Sequence, residues 1–545
     1  MQIKKYFLGF IAATALLVAC NDDEDMTQSR IFRPIEITVD NTGDGYVDFS
    51  WYPSKNASSY EVQISEDETF SEGKTNTYSD LKETTLHVTD GVAINSTDLD
   101  SLYVRIRAFS ALQGVGDSEW LEAMKFAPYR ENIFSTSNNT FKKEYVNNTS
   151  VIVRWKEGIT DVDQLILRNA DGSIKDEHLL TPEEIDARSY TFEGLTPSTV
   201  YSVSIYNEGK RRGKVVFTTR SANEVIVTGV DELLAQLKAV EPGWVIRVKA
   251  LSEGAPYEFS SALNITKSVT IESASDAPTQ FYLPDGVNLR GTLGKVSFND
   301  LIITGDGASG ENTFNLAKAG NDAESVAFAS IDSLVISGCE ISNYNKALIC
   351  YGPDDTSCNV FIDNSIVHDI SAGKSAQVID LRNVTVTNMK ITNSTFYNME
   401  RAFIRVAKNE NSQNFELSNC TFYNTNASSQ SFIDFNNGSK GTYLITNNIF
   451  SNITGKGWTM PQDKDADGKA TPASGSTLEY SYNCIFNVNF TSNATAQWHV
   501  EEGNRLNTDP MFAAPETGDF TLSSSSPCLS GGKRGSIMGD PRWKK

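Results

Sequence analysis

The chain has 545 residues and a formal net charge of −22 at pH 7, and 39% of its residues are hydrophobic. This length predicts about three or four domains, each large enough to bury a core. The strongly acidic balance favours solubility and argues against general nucleic-acid binding, so we expect no nucleic-acid partner.

The amino terminus has the composition of an export signal. Lys4 and Lys5 precede an apolar run over residues 6–19, which is too short to span a bilayer and indicates a signal peptide over residues 1–20. The run ends Leu-Val-Ala-Cys at Cys20, which resembles a bacterial lipobox, where the cysteine is lipidated. The resemblance implies a cell-surface protein anchored in the outer membrane through Cys20. The alternative is an ordinary signal with a chance cysteine.

An acidic stretch follows the cysteine. Residues 21–30 begin Asn-Asp-Asp-Glu-Asp, and such a run resembles the surface-export signal of Bacteroidetes lipoproteins. In physical terms the charges predict a solvated tether between the membrane and the folded domains.

Short alternating strands, separated by turn residues, predict two β-sandwich modules over residues 31–128 and 129–220. The strand that ends at Trp51 has a counterpart that ends at Trp155, and Tyr201 lies in the late strand of the second module. These residues resemble the fibronectin type III domain. The resemblance implies spacers or binding platforms, with both Trp side chains in the core.

The rest of the chain, residues 221–545, repeats a short motif at intervals of 29, 26, 28 and 36 residues. The motif consists of β-forming residues, an Asn and a small residue, and occurs at Asn364-Ser365, Asn393-Ser394, Asn419-Cys420, Asn447-Asn448 and Asn483-Cys484. A second column follows at Asn343, Asn398, Asn424 and Asn452. β-rich repeats of this length predict stacked coils about 4.8 Å apart, in which Asn side chains hydrogen-bond from coil to coil.

Apolar residues at helical spacing over residues 230–240 predict an amphipathic helix that caps the first coil. The strands after it, and the closing segment over residues 508–528, resemble pectin-lyase-like β-helix proteins. We therefore expect an all-β chain with two fibronectin type III-like sandwiches, followed by a right-handed parallel β-helix with a helical N-terminal cap.

The cysteines other than Cys20 are not spaced like a disulfide scaffold. Cys339 and Cys420 share a column but lie three coils apart, about 14 Å at the usual strand spacing, which is too far for a bridge. We expect buried free thiols.

The strand after each Asn turn places Cys350, Asp380, Arg405 and Asp434 in one column, with Arg382 in the next. Asp380, Arg382, Arg405 and Asp434 are therefore the candidate catalytic residues of a polysaccharide lyase. Carboxylates can hold Ca²⁺ to neutralise a uronate, and an arginine can take the C5 proton. The alternative is a solvated charge ladder that stabilises the sheet.

Candidate substrate-binding residues flank this patch. Lys390, Arg401 and Lys408 join the two arginines in a locally positive stretch, which could hold an acidic glycan. Trp458 could stack on a sugar ring. A chance cluster on a solvated face is the alternative.

A long interval between repeats contains Asp463, Asp465 and Asp467, followed by Gly468. Alternating oxygen ligands before a glycine resemble the first half of a Ca²⁺ loop. Ser474 stands where an EF-hand has its bidentate Glu, so calcium is weighed against an acidic surface loop.

The chain as a whole resembles the uncharacterised β-helix lipoproteins of Bacteroidetes glycan-utilisation systems. The resemblance implies a non-catalytic protein that binds an acidic, pectin-like polysaccharide and works with partner proteins of glycan import. The rival interpretation is a lyase or hydrolase of uronate-containing glycans. A third is a surface adhesion protein.

Overall fold

The computed structural model describes fifteen segments of the chain: residues 29–43, 46–89, 101–129, 132–137, 139–307, 311–318, 326–373, 376–406, 413–426, 430–435, 440–459, 462–464, 470–472, 475–490 and 502–544. They form two compact units. One comprises the chain up to Phe141 with Val151–Glu193 and Thr199–Thr218, and the other comprises Lys142–Ser150, Gly194–Ser198 and Thr219–Lys545. Among the described residues, no helix combines the length and apolarity of a membrane span.

The first unit begins with an antiparallel β-sandwich of the predicted kind. A three-stranded sheet (Ile37–Gly43, Tyr46–Trp51, Thr85–Val88) accompanies a four-stranded sheet (Thr75–Leu81, Ala57–Ser65, Leu102–Ser110, Met124–Phe126). Val47, Phe49 and Trp51 alternate into the core, because side chains two apart share one face of a strand. Trp51 packs edge-on against Tyr60, with ring centroids 5.4 Å apart. The Trp is therefore a core residue, as predicted.

A second sandwich follows. The strands Val151–Arg154 and Ser189–Phe192 pair with each other, and a four-stranded sheet contains Ile174–Leu179, Gln164–Asn169, Val200–Asn207 and Lys210–Thr218. A short helix, Pro182–Ala187, begins at a capping box between Thr181 and Glu184. Trp155 and Tyr201 are both buried, so this module also has the predicted core.

The second unit is a parallel β-helix whose described coils form three sheets. Sheet A contains Glu224–Val227, Trp244–Val248, Val269–Ser273, Gly291–Asn299, Phe328–Ser337, Thr356–Asp363, Asn388–Thr392, Gln413–Ser418, Gly441–Thr446 and Thr477–Ser481, with Val384–Thr385 beside it. Sheet B contains Tyr257–Glu258, Thr279–Tyr282, Leu301–Thr304, Glu340–Tyr344, Ile366–Ile370, Thr395–Met399, Thr421–Asn426, Ile449–Gly455, Cys484–Phe490 and Arg505–Leu506. Sheet C contains Leu263–Ile265, Val287–Leu289, Phe314–Leu316, Ile349–Cys350, Ile379–Asp380, Ile404–Arg405, Ile433–Asp434 and Trp458–Thr459.

The remaining elements of the described segments are two hairpins, five short 3₁₀ turns and one helix. The antiparallel hairpins are Gln462–Lys464 with Ala470–Pro472, and Phe512–Ala514 with Asp519–Leu522. Short 3₁₀ turns occupy Lys143–Tyr145, Ser252–Gly254, Pro515–Thr517, Lys533–Gly535 and Pro541–Trp543. The predicted cap is the helix Val230–Ala239, whose Leu233 and Leu237 are buried in the core of the coils.

The turn from sheet A to sheet B contains the predicted Asn ladder. Its first position has a left-handed backbone, with φ of 48° to 58° at the four Asn residues. This outer column comprises Gly338, Asn364, Asn393, Asn419, Asn447 and Tyr482. Asn tolerates the left-handed region better than most residues, because its short side chain can hydrogen-bond locally. Asn419 donates to Asn393 in the neighbouring coil at 3.2 Å, which confirms the predicted stacking.

The next position in each turn forms a second, buried column: Cys339, Ser365, Ser394, Cys420, Asn448 and Asn483. Here each side-chain oxygen accepts the backbone N–H of the preceding coil. The N–H of Ser365 donates to Ser394 Oγ at 3.0 Å, and the N–H of Cys420 donates to Asn448 Oδ1 at 2.9 Å. These bonds satisfy backbone groups that the turn removes from water.

The prediction placed Asn483 in the outer column, and this was wrong by one residue. Cys484 pairs with Ile449, so Tyr482 takes the left-handed position and Asn483 enters the buried column. A buried Asn suits this position, because its Oδ1 accepts a hydrogen bond from the backbone N–H of Asn448 at 3.0 Å.

The second predicted Asn column is confirmed and extended. Asn343, Asn398, Asn424 and Asn452 all have left-handed backbones, and Asp369 and Asn487 join them. Asn424 donates to Asn398 at 2.7 Å, and Asn398 donates to Asp369 at 3.1 Å.

The closing segment, residues 502–544, lies along the A–B turns. Thr395 donates to Asp540 Oδ2 at 2.8 Å, and the N–H of Asp540 donates to Thr421 Oγ1 at 3.0 Å. Trp543 Nε1 also donates to Thr395, at 2.8 Å. The carboxyl-terminal residues thus contact coils that precede them by more than 100 residues, as expected of a segment that closes the β-helix.

Candidate functional site

Sheet C has strands of only two or three residues, so its register decides which side chains face the core. One column of the sheet is apolar and buried: Leu263, Val287, Phe314, Ile349, Ile379, Ile404, Ile433 and Trp458. Adjacent residues on a strand point to opposite faces, so the neighbouring column is directed away from the core.

That neighbouring column is polar throughout, apart from one cysteine, and we call it the polar strip: Asn264, Asn288, Asn315, Cys350, Asp380, Arg405, Asp434 and Thr459. The predicted alignment of Cys350, Asp380, Arg405 and Asp434 is confirmed residue by residue. The residues of this column follow one another about every 4.8 Å along the stack of coils.

Asp380 and Arg382 form a tight ion pair in the middle of the strip. Arg382 Nε donates to Asp380 Oδ1 at 2.8 Å, and its second nitrogen contacts Oδ2. Asp380 is fully buried, whereas the Arg382 side chain is 30% exposed. The hydrogen bond to Asp380 raises the pKa of Arg382 further, so the guanidinium is permanently charged.

Tyr351 fixes the orientation of this guanidinium. The Arg382 guanidinium carbon lies 4.7 Å from the centre of the Tyr351 ring, a cation–π distance. Arg382 also donates to Gln377 at 3.2 Å. The arginine is therefore held on three sides, and its remaining exposed edge faces solvent.

Arg405, one coil further on, and Asp434, two coils further on, form a looser pair. Their closest charged atoms are 3.8 Å apart, and the side chains are 30% and 16% exposed, respectively. Burial raises the pKa of Asp434, and the positive charge of Arg405 only partly opposes this effect. Asp434 Oδ1 is buried and has no hydrogen-bond partner among the described residues. This carboxylate is less completely neutralised than Asp380.

A shallow groove of about 500 Å³ continues the strip toward the amino-terminal coils. Its polar lining includes Asp285, Asn288, Arg290, Glu311, Asn315, Lys318 and Tyr351. Arg290 donates to Asn264 Oδ1 at 2.9 Å, which holds the guanidinium against the strip. Tyr351 therefore borders both the groove and the Asp380–Arg382 pair.

The prediction that Trp458 stacks on a sugar was wrong. Trp458 is only 4% exposed, because it belongs to the buried column and pairs with Ile433. Its ring packs edge-on against Phe432, Phe450 and Tyr480, with centroids 5.0 to 5.8 Å apart. A sugar ring cannot reach it.

The predicted positive stretch does not form one surface. Lys390 lies on sheet A, where it pairs with Glu416 at 2.9 Å, so it does not belong to the polar strip. Arg401 lies in the turn between sheets B and C and is half-buried. Lys408 lies outside the described residues. The cations that the sequence groups together are thus distributed around the coil, and most of the described ones are paired.

Two further predictions fall wholly or mainly outside the described residues. Cys20, the predicted lipidation site, is one of them. Of the predicted calcium ligands, Asp465 and Asp467 lie outside, and Asp463 belongs to a hairpin strand in which it pairs with Thr471. Within the described segments, no three His, Cys, Asp or Glu residues are grouped so that they could hold a metal ion. Calcium at this loop stays a prediction.

The candidate catalytic residues themselves do not form a metal site either. Both carboxylate oxygens of Asp380 are engaged by Arg382, and Asp434 is a single carboxylate next to Arg405. Hard divalent cations need six or more oxygen ligands, and arginine supplies none. The polar strip therefore lacks the donors for Ca²⁺ at this point.

Sequence reasoning missed the amino-terminal half of the site. The signal was present as three triplets of apolar residue, Asn and apolar residue, at Leu263–Ile265, Val287–Leu289 and Phe314–Leu316. Their spacing is that of one coil, and the apolar residues on either side require the Asn to face outward. Tyr351 carries no such signal, because it lies just beyond its strand.

Two domains of unknown function match parts of this chain. DUF4957 matches residues 255–399, and DUF5123 matches residues 415–543, so both fall within the β-helix unit. No curated protein matches.

Several solved structures with fibronectin type III domains are similar to 35% of the chain. They include the central fibronectin-III array of RIM-binding protein (15% identity, 62% of that chain, TM-score 0.14). Others are the FN1–FN3 domains of chicken CNTN1 (15% identity, 69% of that chain, TM-score 0.15) and a two-domain segment of chicken tenascin (14% identity, 99% of that chain, TM-score 0.17). The chain thus spans less than two thirds of the RIM-binding protein array. The two sandwiches have the antiparallel, two-sheet arrangement that the sequence predicts.

Proposed function

We propose that the chain is a cell-surface lipoprotein whose β-helix binds a polysaccharide without cleaving it, as part of a glycan-utilisation system. The favoured ligand is acidic and pectin-like. In this proposal the β-helix is of the pectin-lyase-like type, and the two fibronectin type III-like modules hold it away from an outer membrane in which Cys20 is anchored. Partner proteins for glycan import would receive the bound chain.

The observation that carries the proposal is the polar strip. Hydrogen-bonding side chains recur on sheet C from Asn264 to Asp434, interrupted by Cys350, and the groove of about 500 Å³ continues along them. Amides, carboxylates and guanidinium groups are suited to the hydroxyl groups of sugars. A straight, open and repetitive surface fits a linear polymer better than a compact ligand.

The way the ion pairs are buried favours an acidic polymer. In the pair of Asp380 with Arg382 the anion is fully buried, and the exposed partner is the cation. Arg405 is likewise more exposed than Asp434. Although each pair is formally neutral, the surface presents the guanidinium groups, which donate charge-assisted hydrogen bonds to carboxylates.

The test compares charge removal on the strip with the same change on another sheet. Arg405→Gln removes a strip cation, and Lys390→Gln removes a paired, exposed cation on sheet A as the matched control. We expect calorimetry to show that wild type binds polygalacturonate and that its affinity falls as the salt concentration rises. Of the two variants, only Arg405→Gln should reduce the affinity, by several-fold.

Arg382 needs a different variant. Arg382→Ala would leave buried Asp380 without its partner and would destabilise the coil, so Arg382→Gln is combined with Asp380→Asn. Unfolding temperatures measured in parallel separate loss of binding from loss of fold. If wild type fails to bind polygalacturonate and its methyl-esterified form, or if Lys390→Gln weakens binding as much as Arg405→Gln, the proposal is wrong.

A lyase is the second candidate, and Asp434 is the observation in its favour. Its raised pKa and its unpartnered oxygen beside a guanidinium are properties of a group that exchanges protons. Polygalacturonate incubated with wild type and Ca²⁺ would then yield an absorbing unsaturated product, and Asp434→Asn would abolish it. We expect no product, and sustained product formation by wild type would establish the lyase.

A further inference from the structure

Two cysteines meet at the carboxyl-terminal end of the β-helix. Cys484 is the first residue of the sheet B strand Cys484–Phe490, and Cys528 belongs to the closing segment. Both are fully buried in one small cluster with Ile449, Leu522 and Met538. The Cys484 thiol donates to the carbonyl of Thr508 at 3.2 Å, and Cys528 lies beside it in the same small buried cluster.

The backbone around both cysteines is fixed. The N–H of Cys484 donates to the carbonyl of Asn448 at 2.8 Å, as part of the buried turn column. The carbonyl of Cys528 accepts the N–H of Met538 at 2.8 Å, and its own N–H donates to Ser526 Oγ at 3.2 Å. The two sulfur atoms therefore meet because ordered segments place them together.

Two other described cysteines, Cys339 and Cys420, give the contrast. They are buried in the turn column with Ser365 and Ser394 between them, so the column keeps their thiols apart, although each donates to a backbone carbonyl as Cys484 does. They are structural thiols, as the sequence predicted. The pairing at the end of the helix was not predicted, because 43 residues separate Cys484 from Cys528 and the repeats do not include the closing segment.

We propose that Cys484 and Cys528 are a modification site, at which an intramolecular disulfide joins the closing segment to the last long strand of sheet B. The co-reactant is a disulfide such as oxidised glutathione. One cysteine thiolate attacks it, a mixed disulfide forms and one thiol of the reagent leaves. The second cysteine then displaces the other reagent thiol, so two protein thiols are oxidised and one disulfide is reduced to two thiols.

The mixed disulfide forms before the closing segment docks, and docking brings the second thiol to it. In the folded chain both thiols are buried, and the contact with Cys528 together with burial raises the pKa of Cys484, which keeps it protonated and unreactive. An external disulfide reaches them only while the segment is undocked. Once formed, the bond is protected from reductants by the same burial.

The consequence is a closed end for the stack of coils. Each coil of a solenoid contacts only the coils next to it, so the terminal coils, which have one neighbour, open first. A cross-link here fixes the closing segment at Cys528, shortly before Asp540, through which the segment contacts Thr395 and Thr421. Disulfides stabilise by restricting the unfolded chain, and the effect grows with the length of the loop that they close.

The test is peptide mapping of the full chain. Wild type is refolded with oxidised glutathione, unfolded, alkylated and digested without reductant. We expect a cross-linked peptide that contains Cys484 and Cys528, which disappears after reduction, while Cys339 and Cys420 are alkylated. Thermal unfolding of the β-helix should occur several degrees higher in the oxidised protein than in the reduced protein.

Two variants control the stability measurement. Cys528→Ala should fold, and should unfold at the same temperature with and without reductant. Cys339→Ala, which removes a buried thiol elsewhere, should keep the difference. If both cysteines of refolded, oxidised wild type are alkylated, or if Cys528→Ala still responds to reductant as wild type does, the disulfide does not exist and the pair is a thiol contact only.

Discussion

Replacing Asn448 by Ala tests whether the buried turn column stabilises the coils. Asn448 is fully buried, accepts the N–H of Cys420 at 2.9 Å and donates to the carbonyl of Leu417 at 2.9 Å. Its Nδ2 also donates to Asn483 Oδ1 at 3.0 Å. Alanine leaves a buried N–H without an acceptor, which costs about 1–3 kcal/mol, and the other lost bonds raise the total to about 2–4 kcal/mol.

The chain itself supplies the control variant. Ser394 occupies the same position two coils away, and its Oγ accepts the N–H of Ser365 at 3.0 Å. Asn448→Ser should therefore keep an acceptor for Cys420 and lose only about 1 kcal/mol.

Hydrogen exchange of residues 413–426, followed by mass spectrometry, measures the free energy of local opening in the full chain. The expected loss in Asn448→Ala corresponds to exchange that is roughly 30- to 700-fold faster, at a factor of ten for every 1.4 kcal/mol. If the Ala and Ser variants exchange at the same rate, the buried N–H does not depend on a side-chain oxygen, and the reasoning about this column fails.

Two further predictions concern pH and anchoring. Burial lowers the pKa of His368, but its hydrogen bonds to Glu340 and Asp369 outweigh burial, so the pKa is raised. The charged imidazole therefore stabilises the fold below the ordinary pKa of about 6.5, and this stabilisation is lost as pH rises through the pKa of the folded state. The unfolding temperature of wild type should therefore fall relative to that of His368→Gln between about pH 6 and pH 8, and parallel curves would contradict the assignment. Cys20→Ala should release the chain from the membrane fraction and remove its acyl group, and a variant that still sediments with membranes, unacylated, would exclude the anchor.

The sequence predicted the architecture well because the physical constraints repeat. A left-handed turn once per coil selects Asn again and again, and a sheet with one buried face alternates apolar and polar residues. The column from Cys350 to Asp434 could be aligned for this reason. Three or more agreeing coils fix a register that no single strand of two residues could fix.

Two of the errors occurred where the repeat is interrupted, and a third has a different origin. Tyr482 occupies a position that Asn fills in other coils, so the motif was aligned one residue late. Trp458 lies in an irregular interval, where a shift of one residue decides between core and solvent. Lys390 and Arg405 are near each other in sequence, but one coil passes three sheets, so such residues project from different faces.

The coil is also the unit by which this surface can change in evolution. Each coil carries its own turn residues and receives hydrogen bonds from its neighbour in the same pattern, so a duplicated coil finds complementary partners above and below. One inserted coil lengthens the polar strip by one side chain, about 4.8 Å, without altering the sandwiches. The length of the polymer segment that is recognised could thus be selected by gene duplication, while its chemistry is selected by substitution along the strip.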